Sequence, residues 1–482
     1  MAVSFLNRVD ATVGDGIEAA VRAKHHWRLR RLGQASLSPA GEGWWAAGDP
    51  PPRAGCELEV MIDGAQAFPA IADAISGAQE SVYITGWHIA PHFDLRRDGH
   101  DSAIGELLAE TAERIPVRVL VWAGAPVPLF HPTRSEVTET VRQLTRSTRI
   151  RCQADPREHP LHCHHEKTLV IDGREAFVGG IDITDLAGDR FDSSEHPARR
   201  RLGWHDVGTH LHGPVVTDVH DHFAQRWRAL TGETLDRPPV PGAAGEHEVQ
   251  MVRTVSDGMY DELPRGDFRI LESYLRALRR AEHLVYLENQ FLWSPEIVAV
   301  LADKLRRPPN DDFRIVIVLP AKANNGGDDT RGQLGMLIDA DDGHERLLAA
   351  TIRSRTGERD DRLYVHAKVG IVDDRWLTVG SANLNSHSLF NDTEMNVVCC
   401  DPALARQTRL RLWAEHLEAD AAALAAEPPT VTIDDRWHPI ATDQLRRQRA
   451  GAPPTHRLLA LPGVSRRSGR LLGPLVGLVD DG

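Results

Sequence analysis

The chain has 482 residues, 41 % hydrophobic and 26 % charged, the proportions of a globular protein long enough for two or three domains. Its formal net charge of −13 argues against a general nucleic-acid coat, which needs broad basic surface, though a local basic groove is compatible with it. No apolar run of about 18 residues occurs, so no membrane-spanning helix is expected.

Residues 1–45 read as partly helical, with Gly16 to Leu32 mixing small apolar and basic residues, and Pro50-Pro51-Pro52 marks a linker. From Cys56 a first half begins. Glu57 to Ile62 is a strand. Phe68 to Gln79 is an amphipathic helix on Phe68, Ile71, Ala72 and Ile75, with Pro69 in its first turn. Strands at Ser81 to Gly86 and Pro116 to Trp122 alternate with helices at Ala103 to Arg114 and Ser135 to Arg146. A hairpin follows, with apolar runs flanking Asp172-Gly173. Glu233 to Glu248, with Pro238, Pro239 and Pro241, reads as a linker between halves.

The second half repeats the order. Helices at Phe268 to Arg280 and Pro295 to Arg306 alternate with strands at Leu284 to Leu287 and Phe313 to Leu319. A polar loop, Asn324 to Asp329, precedes the hairpin Val365 to Gly380. Ala421 to Pro429 and Arg436 to Pro454 read as loop-rich, and Leu458 to Val479 as an extended arm. The expected division is residues 1–54, a first half 55–240, a second half 241–425 and an extension 426–482. Alternating strands and helices predict an α/β fold: two similar α/β/α sandwich halves with mixed sheets, related by a pseudo-two-fold axis.

What organises the chain is a repeated motif. His165-Glu166-Lys167 to Asp172 reads H-x-K-x4-D, and it recurs 201 residues later as His366-Ala367-Lys368 to Asp373. The register holds without a gap through Gly179-Gly180-Ile181-Asp182 and Gly380-Ser381-Ala382-Asn383. One copy would arise by chance in roughly two per hundred chains of this composition; two copies in register would not. Only Lys24, Lys167, Lys304, Lys322 and Lys368 are lysines among 56 basic residues, and two of these lie in the motif, which suggests a need for a compact ammonium. Within a strand, residues two apart share a face, so each His projects with its Lys. Two such pairs around one pocket suit a phosphodiester. One imidazole attacks phosphorus, the other protonates the leaving oxygen, and the lysines hold the non-bridging oxygens. The lysines supply the charge, so no metal and no cofactor are expected. His162, Cys163 and His164 form a dense cluster beside the motif, but no second cluster completes a zinc site by spacing. His210, His212, His220 and His222 read as surface or core histidines, and Trp122 and Trp293 as packing residues beside the pocket.

Over residues 55–420 the chain resembles the phospholipase D superfamily. Val379 to Asn385 is similar to its G-S-x-N element, and Tyr286-Leu-Glu-Asn-Gln290 to its I-Y-x-E-N-Q strand. Trp204-His-Asp-Val207 with Gly213-Pro214, and Gly179-Gly-Ile-Asp-Ile183 with Arg190-Phe-Asp192, resemble segments of the eukaryotic-type phospholipases D. Asp182 stands where many members have Asn, a trait shared with that subgroup. The resemblance implies double displacement. His165 would form a phosphohistidine, and His366 would be the acid, then the base. Lys167, Lys368 and Asn383 would bind phosphate oxygens. Glu394 would orient His165 and Asp206 would orient His366, each from the opposite half. Asp182, Ser381, Asn289 and Gln290 join the expected substrate-binding set. The motif aspartates Asp172 and Asp373 are read as bracing the hairpins.

The resemblance implies hydrolysis of a glycerophospholipid at a membrane surface, with transfer to an alcohol as a variant. Cardiolipin-synthase-type transfer, a nuclease and a non-catalytic phosphate binder are the alternatives. No nucleic-acid partner is expected, and the sequence carries no signal for oligomeric state. Cys56, Cys152, Cys163, Cys399 and Cys400 show no disulfide framework, and Met1 to Gln34 lacks a secretory apolar run. Cytoplasmic location, peripheral to a membrane, is the expectation.

Overall fold

Two twisted sheets carry the repeated halves, in a computed structural model that describes residues 2–34, 43–99, 102–126, 131–158, 162–322 and 327–461. A long helix, α1 (Ala2–Arg31), precedes β1 (Arg53–Ile62). The first half continues with α2 (Gly64–Gly77), β2 (Val82–Gly86), α3 (Ile104–Ala112), β3 (Val117–Trp122), α4 (Arg134–Thr145), β4 (Arg151–Asp155), β5 (Lys167–Ile171), β6 (Glu175–Gly179), β7 (Gly203–His205), β8 (Val207–His212) and α5 (Val215–Thr231). The second comprises β9 (His247–Val255), β10 (Asp267–Phe268), α6 (Arg269–Arg280), β11 (Leu284–Glu288), α7 (Pro295–Arg306), β12 (Arg314–Val318), α8 (Gly327–Asp341), β13 (Leu347–Thr356), β14 (Arg359–Val365), β15 (Val369–Val372), β16 (Trp376–Gly380), α9 (Ser386–Phe390), β17 (Glu394–Cys399) and α10 (Pro402–Leu417). Then come α11 (Ala421–Ala425), α12 (Pro429–Thr432), a π-helical turn (Ile433–Trp437), α13 (His438–Ala450) and β18 (Leu458–Ala460).

The first sheet runs β1-β8-β6-β5-β2-β3-β4. The second runs β9-β17-β16-β15-β11-β12-β13, with β18 added at its edge. Position by position the strands correspond, and so do their directions: antiparallel pairs up to β2 and β11, parallel pairs beyond. The sheets meet through β1 and β9. One apolar core lies between them, joining Val60, Val170, Val178 and Leu211 to Val369, Ile371, Val379 and Val397, with α5 and α10 closing it. Two outer cores hold α2 and α3 on the first sheet and α6 and α7 on the second. On α2, Phe68, Ile71, Ala72 and Ile75 are buried as their spacing demands. Each large apolar side chain so buried contributes about 1.5–3 kcal/mol.

Several boundaries depart from the sequence reading. The helix α2 starts at Gly64, so Pro69 falls in its second turn, where its missing N–H leaves one turn-closing bond unmade. The strand β5 starts at Lys167, so His165 sits just ahead of it. Of the expected loop Asn324 to Asp329, residues 324–326 lie outside the described residues and Gly327 already opens α8. The stretches 421–429 and 436–454 are largely helical. Asp420 caps α11 through the Ala422 N–H, and Ile433, Trp437 and Ala441, four apart, pack into the central core. That stripe is hidden among Pro and Arg. Leu458–Ala460 pairs with β13, and the rest of the expected arm from residue 462 lies outside the described residues.

The motif aspartates close the two hairpins. Asp172 (φ 53°) and Gly173 (64°), like Asp373 (53°) and Asp374 (48°), adopt the left-handed conformation of a tight two-residue turn. A Cβ on Gly173 would lie 2.4 Å from Pro238, so close approach as well as conformation requires glycine there. The Asp172 carboxylate accepts the N–H groups of Gln79 (2.9 Å), Glu80 (2.6 Å) and Ser81 (2.9 Å). Asp373 accepts those of Glu282, His283 and Leu284 at 2.8, 2.8 and 2.7 Å. Each carboxylate thus caps the loop leading into the neighbouring strand, β2 or β11. Asp172→Ala strands three donors, and we expect a loss of about 2–3 kcal/mol in denaturant unfolding. The folded variant should keep its turnover number; a collapse of turnover without a stability change would contradict the bracing role.

Candidate active site

Each motif histidine is held by the other half. The His165 N–H donates to the Thr393 carbonyl (2.9 Å), and the His366 N–H to the His205 carbonyl (2.8 Å). The residue after each clamp supplies a carboxylate. His165 Nδ1 lies 3.1 Å from Glu394 Oε1 and 3.0 Å from the Ser381 carbonyl. A carbonyl only accepts, so Nδ1 carries a proton, which in the neutral ring leaves Nε2 as a free lone pair. His366 Nδ1 lies 2.6 Å from Asp206 Oδ2, an arrangement that again leaves Nε2 to react. The two rings sit 6.2 Å apart, centroid to centroid, at 68°. His165 is the more accessible, its side chain 13 % exposed against 4 % for His366.

The lysines flank this pair. Lys167 Nζ donates to the His165 carbonyl (2.5 Å), and Lys368 Nζ to the His366 carbonyl and, at 3.4 Å, to Gln290 Oε1. Asn383 Nδ2 reaches the same Gln290 oxygen at 3.3 Å, while its own Oδ1 is buried without a hydrogen-bond partner. Gln290 Nε2 donates to the Tyr364 hydroxyl.

Other expected residues do different work. Ser381 is buried and donates its hydroxyl to Glu394, so it fixes the orienting carboxylate. Asn289 is buried, and its Oδ1 accepts the N–H groups of Phe291 and Leu384, which pins the loop after β16. Asp182, at the register position of Asn383, lies 3.5 Å from Lys167 Nζ. Burial alone would push its carboxyl up, but Lys167 and Arg190 outweigh this and hold it below the ordinary value. A carboxylate there repels phosphate, so Asp182 acts on Lys167. Asp172 and Asp373 are engaged at the far hairpin ends.

The electrostatics favour an anion. Burial and then the Lys368 charge hold His366 well below the ordinary histidine value. Burial pulls Lys368 down to about 7, against the attraction of Asp206. Burial pushes Asp206 up. An incoming phosphate anion beside Lys368 and His366 restores the lysine and imidazole protons that burial disfavours.

Sequence reasoning missed three features. The Trp204 ring lies 4.8 Å from that of His366, tilted at 56°, with the Arg190 guanidinium 3.8 Å from the indole centroid. Tyr364 lies 6.4 Å from His366; its place two residues before the motif histidine was the available signal. Gly180 has no side chain because Asp206 occupies the space: a Cβ there would lie 2.2 Å from Asp206 Oδ1. At the matching position of the second half, Ser381 reaches Glu394 instead. Trp122 packs on Trp87, 6.2 Å away.

Potential metal ligands also converge. The sequence cluster at His162 to His164 divides: His162 joins His387 and Asp392, whereas His164 pairs with Asp155. Deeper, Asp63, His196, His205 and Glu415 form a fully buried group. His220 and His222 are buried, and His222 Nε2 donates to the carboxylate of Glu166, the central residue of the first motif.

Two mixed sheets in the same strand order, bringing two His–Lys pairs to one cleft, define a two-halved phosphodiesterase fold. Comparison with known proteins gives the family. Residues 74–203 match the phospholipase D family model, and residues 274–414 match that described as cardiolipin synthase, phospholipase D-like domain. The chain belongs to the phospholipase D superfamily of enzymes. It is 27 % identical to phospholipase D alpha 1 of Cynara cardunculus, over 72 % of this chain and 63 % of that protein. It is 26 % identical to phospholipase D2 of Bos taurus, over 73 % of this chain and 50 % of the relative. The chain thus aligns with about half to two thirds of the length of these two relatives. In fold it resembles the crystal structure of phosphatidylserine synthase from Haemophilus influenzae, with a TM-score of 0.52 and 14 % identity over 86 % of this chain and 98 % of that one. No helix among the described residues is long and apolar enough to cross a membrane.

Two outcomes test this geometry. Gly180→Ala pushes on Asp206, so kcat should fall at least about tenfold with little change in thermal midpoint, since misplacing an orienting group costs rate rather than fold. Deprotonation of Lys368 removes the charge that meets phosphate, so kcat/KM should decline as pH rises through about 7, and binding of inorganic phosphate above that pH should take up protons. Calorimetry in two buffers of different ionisation enthalpy reads the uptake; proton release on binding would contradict the assignment.

Proposed function

We propose that the protein is a phospholipase D-type phosphodiesterase that cleaves glycerophospholipids at a membrane surface to phosphatidic acid and a head-group alcohol. The observation that carries this is the pair of imidazoles 6.2 Å apart, each with Nδ1 held by a carboxylate. His165 Nε2 attacks phosphorus, and the bond to the head-group oxygen breaks. His366 Nε2–H gives its proton to that oxygen. Water then approaches, His366 takes its proton, and the hydroxide oxygen displaces His165 to release phosphatidic acid. A primary alcohol in place of water yields the phosphatidyl-alcohol by the same step. Lys167, Lys368 and Asn383 bind the non-bridging oxygens, which carry more charge in the transition state.

The relatives named above support a lipid substrate, since the two proteins of Cynara cardunculus and Bos taurus are phospholipases D. The match of the second half to the cardiolipin-synthase-like domain favours keeping phosphatidyl transfer as the second reading. Both readings share the phosphohistidine and differ in the acceptor.

The test is head-group release from phosphatidylcholine, phosphatidylethanolamine and phosphatidylglycerol vesicles, with EDTA and a primary alcohol present. We expect release that persists in EDTA, yields a phosphatidyl-alcohol and drops at least about a thousandfold in His165→Ala. Product formation only with glycerol-bearing acceptors would favour the transferase. No release from any lipid would overturn the lipid substrate.

A further inference from the structure

Beneath Asp206 four side chains point at one spot. Asp63 and His205 of the first half, His196 from the loop before β7, and Glu415 of α10 are all buried, and one ligand atom from each lies within 4.8 Å of the others. His196 Nε2 is 2.9 Å from Glu415 Oε1 and 3.5 Å from Asp63 Oδ2. His205 Nδ1 is 3.0 Å from Asp63 Oδ1 and 3.1 Å from Glu415 Oε1. The two imidazole rings are nearly perpendicular, at 85°, with centroids 5.3 Å apart.

We propose that Asp63, His196, His205 and Glu415 bind a structural divalent metal ion of the zinc type, at a site separate from the catalytic pair. Three observations support this over a set of hydrogen bonds. First, Asp63 Oδ2 is buried and accepts no hydrogen bond, although the opposite oxygen is satisfied by the Asp206 N–H at 3.0 Å. A buried carboxylate oxygen without a donor is rare, and a cation at the centre supplies its partner. Second, the separations suit tetrahedral coordination. Bonds of 2.0–2.1 Å place ligand atoms about 3.3 Å apart; Glu415 Oε1 lies 2.9 Å from His196 Nε2 and 3.1 Å from His205 Nδ1, and Asp63 Oδ2 lies 3.5 Å from His196 Nε2. Third, each imidazole turns its other nitrogen to a carboxylate. His205 Nε2 is hydrogen-bonded to Glu288 Oε2 at 2.7 Å, while His196 Nδ1 is turned toward Asp192 Oδ1 at 3.4 Å without completing a hydrogen bond. Metal-bound histidines characteristically donate their second N–H in this way, which fixes the tautomer and ring. Two carboxylates and a divalent ion also cancel in charge, which full burial demands.

The mixed nitrogen and oxygen donors suit zinc better than calcium or magnesium, which prefer oxygen alone. Four protein ligands leave no open position, so the ion would not take part in bond-making. Its place is structural: three ligands come from the first half and Glu415 from the second, so the ion ties the halves together directly under the Asp206 backbone. Full burial puts it out of reach of brief chelation, so the EDTA-resistant turnover expected above is independent of it.

The test is metal analysis of the full chain, purified without chelator and again after unfolding in EDTA and refolding with zinc or cobalt. We expect about one metal per chain, with the visible bands of tetrahedral cobalt in the substituted protein. His196→Gln and Glu415→Gln should each weaken metal retention by at least about tenfold, while His387→Gln, in the shallower cluster, should retain it. Should the ligand variants fail to fold, the wild-type cobalt spectrum decides alone. No stoichiometric metal in the native or refolded wild type, or metal lost in His387→Gln but kept in His196→Gln, would overturn the proposal and leave protonated imidazoles as the partners of these carboxylates.

Discussion

The structure depends on a crossed clamp. Each motif histidine takes its backbone hydrogen bond and its orienting carboxylate from the opposite half: Thr393 and Glu394 for His165, His205 and Asp206 for His366. A backbone bond fixes where the ring starts, and the adjacent side chain fixes how it is turned. Two sheets of the same strand order therefore have to pack face to face, in one orientation, for either imidazole to be aimed. The central apolar core between β6, β8, β16 and β17 sets that orientation, and the polar site lies at its edge.

Below the clamp the halves differ. Under His165, Glu166 is buried against His222 and Arg226, and Arg226 continues to Asp155. Burial opposes the Glu166 charge, but His222 and Arg226 outweigh it and keep the carboxylate ionised. Under His366, the corresponding motif residue is Ala367, and the charged layer is built from Asp63, His205, Glu288 and Glu415 instead. A buried ionic layer of this kind is costly unless every member is paired, and it favours one packing over near alternatives. The repeat thus preserves the reacting groups and lets the supports diverge.

Much of this was legible in the sequence because the reacting groups are repeated in register. The gapless register from His165 to Asp182 and from His366 to Asn383 exposed the two hairpins, the two-half α/β architecture and the His–Lys pairs. Glu394 and Asp206 were reachable only through family resemblance, since nothing local ties residue 394 to residue 165. What spacing could not show has the same origin. Ser381 and Asn289 are polar residues in motif positions; the Ser381 hydroxyl is engaged by Glu394 and the Asn289 Oδ1 by the Leu384 loop, which leaves Asn289 Nδ2 buried without a hydrogen-bond partner. The stripe of Ile433, Trp437 and Ala441, spaced four residues apart, was masked by proline and arginine, which mark loops when they are exposed and do not when an aromatic anchors them. The cluster of Asp63, His196, His205 and Glu415 spans more than 350 residues of chain, so no spacing rule finds it.

The crossed clamp also governs the order in which the protein becomes reactive. The partners of His165 lie 228 and 229 residues later in the chain, and His366 awaits a segment made 160 residues before it. Contacts that distant form late in folding, because the loop between them has to close first. During synthesis the first half emerges with its imidazole and lysine but without Glu394, so His165 is an unaimed surface histidine until the second half has folded onto it. The His165 ring is in this way left unaimed by topology alone, and it acquires its orientation in the same event that completes the core.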